Sequence, residues 1–192
     1  MAQNPERRTA LVDAAIEVLA SDGARGLTFR AVDGRAGVPA GTASNYFASR
    51  NALLAQAAER IHVRLRPDEA TIAAMVRTRP EPSPDVLRRE LTAMYHRLAA
   101  EQTEYLALLE LRLEAIRRPE VRASLTATIR GNLERDMASH RESGLPGDDT
   151  AVVLFYLALS WLIVENLTLP GVLDGHDADR LIAALTDLVA AR

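Results

Sequence analysis

Apolar residues recur at three- and four-residue intervals through most of the chain, and no short stretch alternates as a half-buried strand does. The pattern predicts an all-α protein. Helices are expected near 5–21, 28–35, 40–46, 50–66 and 68–77, then near 84–101, 104–117, 119–142, 148–168 and 177–191. The breaks have local causes. In the stretch Arg79–Pro84, alternate prolines at 80, 82 and 84 cannot continue a helix. Pro170-Gly171 ends the helix before it, and Asp177 is placed to cap the last one. Asp148-Asp149 puts negative charge at the start of the helix near 148–168, where the helix dipole favours it.

One segment carries more than a fold class. From Leu27 to Leu54, two short helical patterns are separated by Ala36-Gly37-Val38-Pro39. Thr28 is a good N-cap, followed by apolar Phe29, Val32 and Ala36 at helical spacing. Gly37 suits the left-handed position that ends a helix, and Pro39 suits the first turn of the next. The result is a helix of about two turns, a tight turn, and a second helix of about two turns. This is the layout of a helix-turn-helix, whose second helix enters the DNA major groove.

The segment resembles the N-terminal DNA-binding domain of TetR-type transcriptional regulators at Leu27-Thr28, Val32, Ala36-Gly37-Val38, Gly41-Thr42, Tyr46-Phe47, Arg50 and Leu53-Leu54. The preceding helix fits as well, through Ala14-Ala15, Val18-Leu19 and then Gly23. The resemblance implies a DNA-binding domain over residues 1–50 and a helical effector-binding and dimerisation domain over 51–192. It implies a regulator of transcription, a repressor released from its operator by a small molecule or else an activator. Partners would be a palindromic double-stranded operator, a mostly apolar ligand and a second copy joined through helices near 148–168 and 177–191. No cofactor or metal is expected, and the place of action would be the bacterial cytoplasm, at the nucleoid. The helix near 50–66 would link the domains and carry the movement between them.

Composition narrows the alternatives. Hydrophobic residues make up 48% of 192 positions, ample for a core. The absence of cysteine excludes a disulfide framework and thiolate chemistry. Residues 1–9 are polar and lack the apolar centre of a secretory signal. The longest charge-free apolar run, Ala151–Val164, is shorter than a membrane span needs and reads as a buried or interface helix. Net charge is −3, and all 23 basic residues are arginine. An acidic chain is no general nucleic-acid coat, so DNA contact must come from a local patch. Residues 1–50 hold six arginines against five carboxylates, a modest contrast.

Within Pro39–Phe47 the candidate contact residues are small and polar. Gly41 permits close backbone approach, and Ala40 or Ala43 suits a thymine methyl. Ser44 and Asn45 suit base edges or phosphates, while Thr42 and Tyr46 offer hydroxyls to phosphate. Phe47 is assigned to the core. Thr28 opens a helix whose free N–H groups suit a phosphate, and Arg30 is a further candidate. By resemblance, Thr42, Ser44, Asn45 and Tyr46 meet DNA, and Arg50 faces phosphate. Two departures from the family pattern stand out, at Asp33 and Ser44. Asp33 stands where a small alanine is usual, and is expected to pair with Arg30 or Arg35 and mute them. Gly34 weakens a short helix by about 1 kcal/mol relative to alanine. Ser44 replaces a common aromatic.

The remainder holds no catalytic constellation. His62, His96, His140 and His176 lie far apart in sequence without metal-ligand spacing. Glu110 and Glu114 are one turn apart on a helix that is apolar nearly all round, and either line a solvated site or are neutralised by arginines such as Arg117. An acid–base pair there lacks a nucleophile, electrophile or metal, so an enzyme is not expected. Met94, Tyr95, Leu109, Arg112, Phe155 and Trp161 form a candidate effector pocket for a mostly apolar ligand with one or two hydrogen-bonding groups, or else are plain core. A helical interaction module without DNA binding is the remaining alternative.

Overall fold

Asn4 starts the first helix: its side chain accepts from the N–H groups of Glu6 and Arg7, and Pro5 fills the first turn. The computed structural model describes residues 4–68, 70–72, 77 and 80–191. Among these, helices account for all regular structure. They are α1 (Pro5–Gly26), α2 (Phe29–Arg35), α3 (Thr42–Tyr46), α4 (Arg50–Arg64), α5 (Pro84–Ala100), α6 (Gln102–Arg117), α7 (Pro119–Ser143), α8 (Asp149–Thr168) and α9 (Ala178–Ala190). A 3-10 turn, Pro170–Leu173, separates the last two. The helix expected near 68–77 falls largely outside the described residues, as does Arg79.

The two expected caps form: Thr28 accepts from the Ala31 N–H at 3.1 Å and Asp177 from Asp179 at 3.4 Å. Asp148, expected only as charge near the helix start, also caps, accepting from the Ala151 N–H at 3.0 Å. Ser49 and Ser83 add caps for α4 and α5. α1 runs longer than its pattern predicted, but it is broken at Gly23, whose backbone leaves the helical region.

Packing gathers the described chain into two units. The first comprises residues up to 66 with 103–129. Here α1 packs on α2 and α4, and α2 on α3. Its centre is Leu11, Ile16, Leu19, Val32, Phe47, Leu53, Leu54, Ile61 and Leu111, all but removed from water. Burying each such side chain contributes roughly 1.5–3 kcal/mol. Polar ties secure the outer helices: Arg60 grips Asp13 at 2.8 and 3.0 Å, and Arg64 reaches Glu104 at 2.5 Å.

The second unit comprises residues 67–102 with 130–192. α5 packs on α8 and α9 around Leu87, Leu91, Tyr95, Phe155, Leu159, Ile163 and Ile182. Arg88 reaches Asp187 at 3.1 Å, His96 reaches Asp179 at 2.7 Å, and Asn166 donates to the Tyr95 hydroxyl at 2.8 Å. α8 is longer than the charge-free run inside it. At 20 residues it is long and apolar enough, by length and composition, to cross a membrane. The length argument made on Ala151–Val164 therefore does not carry over to the helix that forms. Its buried side packs on α5 and α9, while Leu154, Leu157 and Trp161 face outward. On α9, Leu181 and Leu188 are likewise exposed.

Candidate nucleic-acid interface

The turn between α2 and α3 is built on two glycines. α2 ends at Ala36, and Gly37 follows at φ 64°, a left-handed conformation that any side chain would strain. Gly41, at φ 91°, begins α3 and offers no side-chain cap of its own. Nothing lies within 4 Å of where a Cβ would stand on Gly41, so its outer side is open.

The cap comes from α2 instead. Asp33 Oδ2 accepts from the Gly41 N–H and Oδ1 from the Ala43 N–H, both at 2.7 Å, and the residue is 2% exposed. This corrects the expected pairing of Asp33 with Arg30 or Arg35. The free N–H groups at the start of α3 demand an acceptor, and Asp33 lies directly beneath them. Arg35 turns instead to Glu17 and Ser21 on α1.

The sequence-predicted contact residues divide by exposure. Thr28, Arg30, Ala40, Gly41, Ser44 and Asn45 are exposed, while Thr42 and Tyr46 are half-buried. Ala43, considered for a thymine methyl, is fully buried under α3 and faces the core with Phe47. The Thr42 hydroxyl donates to Pro39 O at 2.5 Å, and Ser44 to Gly41 O at 2.8 Å. Their hydrogens are thus spent locally, and each presents an acceptor outward. That suits a base amino group better than a phosphate oxygen. Arg8 braces the end of α3, donating to Tyr46 O at 3.0 Å with its guanidinium 4.8 Å from the Phe47 ring centre.

Arg50 is turned away from the expected phosphate position. Its Nε donates to Leu27 O at 2.9 Å, and one Nη donates to Ala24 O. The other Nη stands 3.7 Å from Glu114. Backbone carbonyls left free where α1 ends attract this guanidinium more directly than distant solvent does. Glu114 is 9% exposed and also meets Arg118 at 2.5 Å and Arg117 at 3.5 Å. Burial works against its charged form, yet the Arg118 hydrogen bond and the three arginine charges outweigh it and hold the carboxyl below the usual range. Glu110 does not share a site with Glu114; it accepts from the Ala24 N–H at 2.8 Å, where the break at Gly23 frees that donor. His62, on α4, is driven down to about 4 by burial, with the Arg112 charge adding to the effect.

The six candidate pocket residues divide between the two units. Leu109 and Arg112 belong to the first unit, half-buried and exposed respectively. In the second unit, Tyr95 and Phe155 are buried while Met94 and Trp161 are exposed. Of the six, only Trp161 lines the open cleft of about 500 Å³ on that unit, alongside Leu159, Leu162, Glu165, Ile182 and Leu185. Among the described residues there is no cluster of three or more potential metal ligands.

Comparison with known proteins decides the family. Residues 11–57 match the model described as bacterial regulatory proteins, tetR family, and residues 82–191 match tetracyclin repressor-like, C-terminal domain. The chain belongs to the TetR family. Regulators of this family are cytoplasmic proteins that bind operator DNA, dimerise and bind small-molecule effectors, and this TetR-family chain is accordingly a DNA-binding transcriptional regulator. Its fold is that of solved TetR structures. A TetR-family member from Streptomyces coelicolor A3 is similar at TM-score 0.68 and 24% identity, covering 96% of this chain and 99% of the other. The fatty acid degradation regulator FadR from Bacillus halodurans is similar at TM-score 0.70 and 18% identity, covering 99% and 97%. The multidrug binding protein EbrR, in complex with imidazole, is similar at TM-score 0.66 and 25% identity, covering 97% and 96%. A search of curated protein sequences finds no match.

Two features of the site escaped the sequence reading. The Asp33 cap was hidden because an Asp mid-helix pairs with an arginine as readily as with a backbone. The inward turn of Arg50 had no local signal.

Proposed function

We propose that this regulator is a repressor whose α3 reads a palindromic operator and whose affinity falls when a small molecule binds the C-terminal domain. The observation that carries this reading is the outer side of the turn and α3. There Ala40, Gly41, Ser44 and Asn45 are exposed in one short stretch, while Val32, Ala43 and Phe47 are buried behind them. Asn45 fits an adenine edge, Ala40 a thymine methyl, and Gly41 a close backbone approach. Thr28 and Arg30, at the start of α2, and Tyr46, at the end of α3, supply the backbone contacts. Arg50 acts one step behind them, by holding the end of α1 against α6.

Function divides the chain at residue 50: residues 1–50 read DNA, and 51–192 dimerise and take the effector. A second copy docks through 148–168 and 177–191, where Leu154, Leu157, Trp161, Leu181 and Leu188 stand exposed beside the apolar cleft. Two-fold pairing doubles a short half-site and makes the operator palindromic. The effector is a mostly apolar molecule received in the second unit, near the hydrogen-bonded pair of Tyr95 and Asn166. The multidrug binding protein EbrR, solved with imidazole, ethidium and proflavin, supports a small-molecule effector. The effector acts by population shift, binding more tightly to the state that does not match the operator.

The test is selection of duplexes from a random-sequence pool by the purified protein, followed by gel shifts at several salt concentrations. A palindromic consensus, and affinity that falls steeply with salt, is expected. Asn45→Ala and Tyr46→Phe should each weaken binding to that consensus by about 1–3 kcal/mol. Recovery of no consensus would remove the DNA-binding reading.

A further inference from the structure

Asp33 is a buried carboxylate placed in a DNA-reading element, where electrostatics alone argues against it. Phosphates repel an anion, and burial penalises its charge. Two observations account for its presence. Its two oxygens take the Gly41 and Ala43 N–H groups at 2.7 Å each, the short length of charge-assisted bonds. The helix that receives them, Thr42–Tyr46, has only five residues and no side-chain cap at Gly41. So short a helix has little stability or direction of its own. A carboxylate bridging two of its leading N–H groups fixes both its tilt and its rotation on α2. It also uses up the donors that could otherwise grip a phosphate anywhere along a duplex.

We propose that Asp33 is a positioning residue that sets the specificity of DNA recognition: its bridge from α2 to Gly41 and Ala43 holds α3 at the angle that presents Ser44 and Asn45, while its charge disfavours binding to unmatched DNA. The bridge raises the ratio of specific to non-specific affinity, and the charge keeps affinity for every unmatched duplex low. This rests on the DNA-binding reading above and names a determinant within it. A merely structural role predicts something else. Loss of folded protein lowers affinity for every duplex by the same factor and leaves the ratio untouched.

The experiment uses the duplex selected by the unaltered protein and a scrambled duplex of the same length. Both are titrated with the unaltered chain, Asp33→Ala and Asp33→Asn, at low and moderate salt. Asp33→Ala should weaken the selected duplex about tenfold or more while leaving scrambled-duplex affinity unchanged or tighter. Asp33→Asn keeps one carbonyl acceptor and loses the charge, so it should recover part of the specific affinity while its affinity for scrambled DNA stays that of Asp33→Ala. Amide exchange in the free protein should accelerate at Gly41 and Ala43 in Asp33→Ala. An unchanged ratio in both variants overturns the proposal, as does full retention of protection at those two amides. If the unaltered chain selects no duplex, the DNA-binding reading falls instead, and amide exchange still tests the bridge.

Discussion

Acidifying the protein from pH 7 to pH 5 should destabilise it through His62. The imidazole is held at about 4 against an ordinary 6.5, because burial beside α6 disfavours its cation and the Arg112 charge opposes it further. The sign follows from proton uptake. Between those values the unfolded chain binds a proton at His62 and the folded chain does not, so protons favour unfolding. The full contribution is present above about pH 6.5 and is lost as pH falls through the window down to about 4. Linkage over the two values gives a loss of about 2 kcal/mol between pH 7 and pH 5, and about 3 by pH 4. For a chain of this length that first step lowers the melting temperature by about 4–8 °C. The assay is thermal melting followed by far-ultraviolet circular dichroism at pH 7, 6 and 5, on the unaltered chain and on His62→Gln. The variant has no group that titrates there, so its melting temperature should fall less by the same increment. Carboxylates such as Glu114 act alike in both proteins and cancel in the difference. Parallel curves for the two proteins from pH 7 to pH 5 would refute the reasoning.

Other outcomes follow from the same packing. Arg50→Ala leaves Leu27 O and Ala24 O without their donor and thins the charge around Glu114, and should cost about 1–3 kcal/mol in urea unfolding. Because its guanidinium faces protein, the salt slope of operator binding should stay as it was, and a drop of about one unit would instead mark a phosphate contact. Trp161→Arg alters a side chain that is 64% exposed, so helicity should persist while sedimentation shows dissociation of the dimer; a dimer of undiminished stability would exclude this face. Gly34 lies in α2 with open space around it, and Gly34→Ala should raise stability by about 0.5–1 kcal/mol, read from the urea midpoint.

Local chemistry determined a large part of this protein. Apolar spacing, the alternate prolines before α5 and the caps at Thr28 and Asp177 each act within a few residues, so the helices they delimit are legible from the chain alone. The same holds for the turn at Gly37, where a left-handed backbone requires glycine. Tertiary structure decided what those helices do with their polar groups. Asp33 could serve an arginine or a backbone, and only the placement of α3 above it selects the backbone. Arg50 turns inward because α1 ends its hydrogen-bond ladder beside it and α6 brings Glu114, residues remote in sequence. Trp161, an aromatic in an apolar helix, reads equally as core or surface until α5 and α9 take the opposite face. Local rules carry information over one helical turn, whereas burial and charge pairing are set by whichever distant segment arrives.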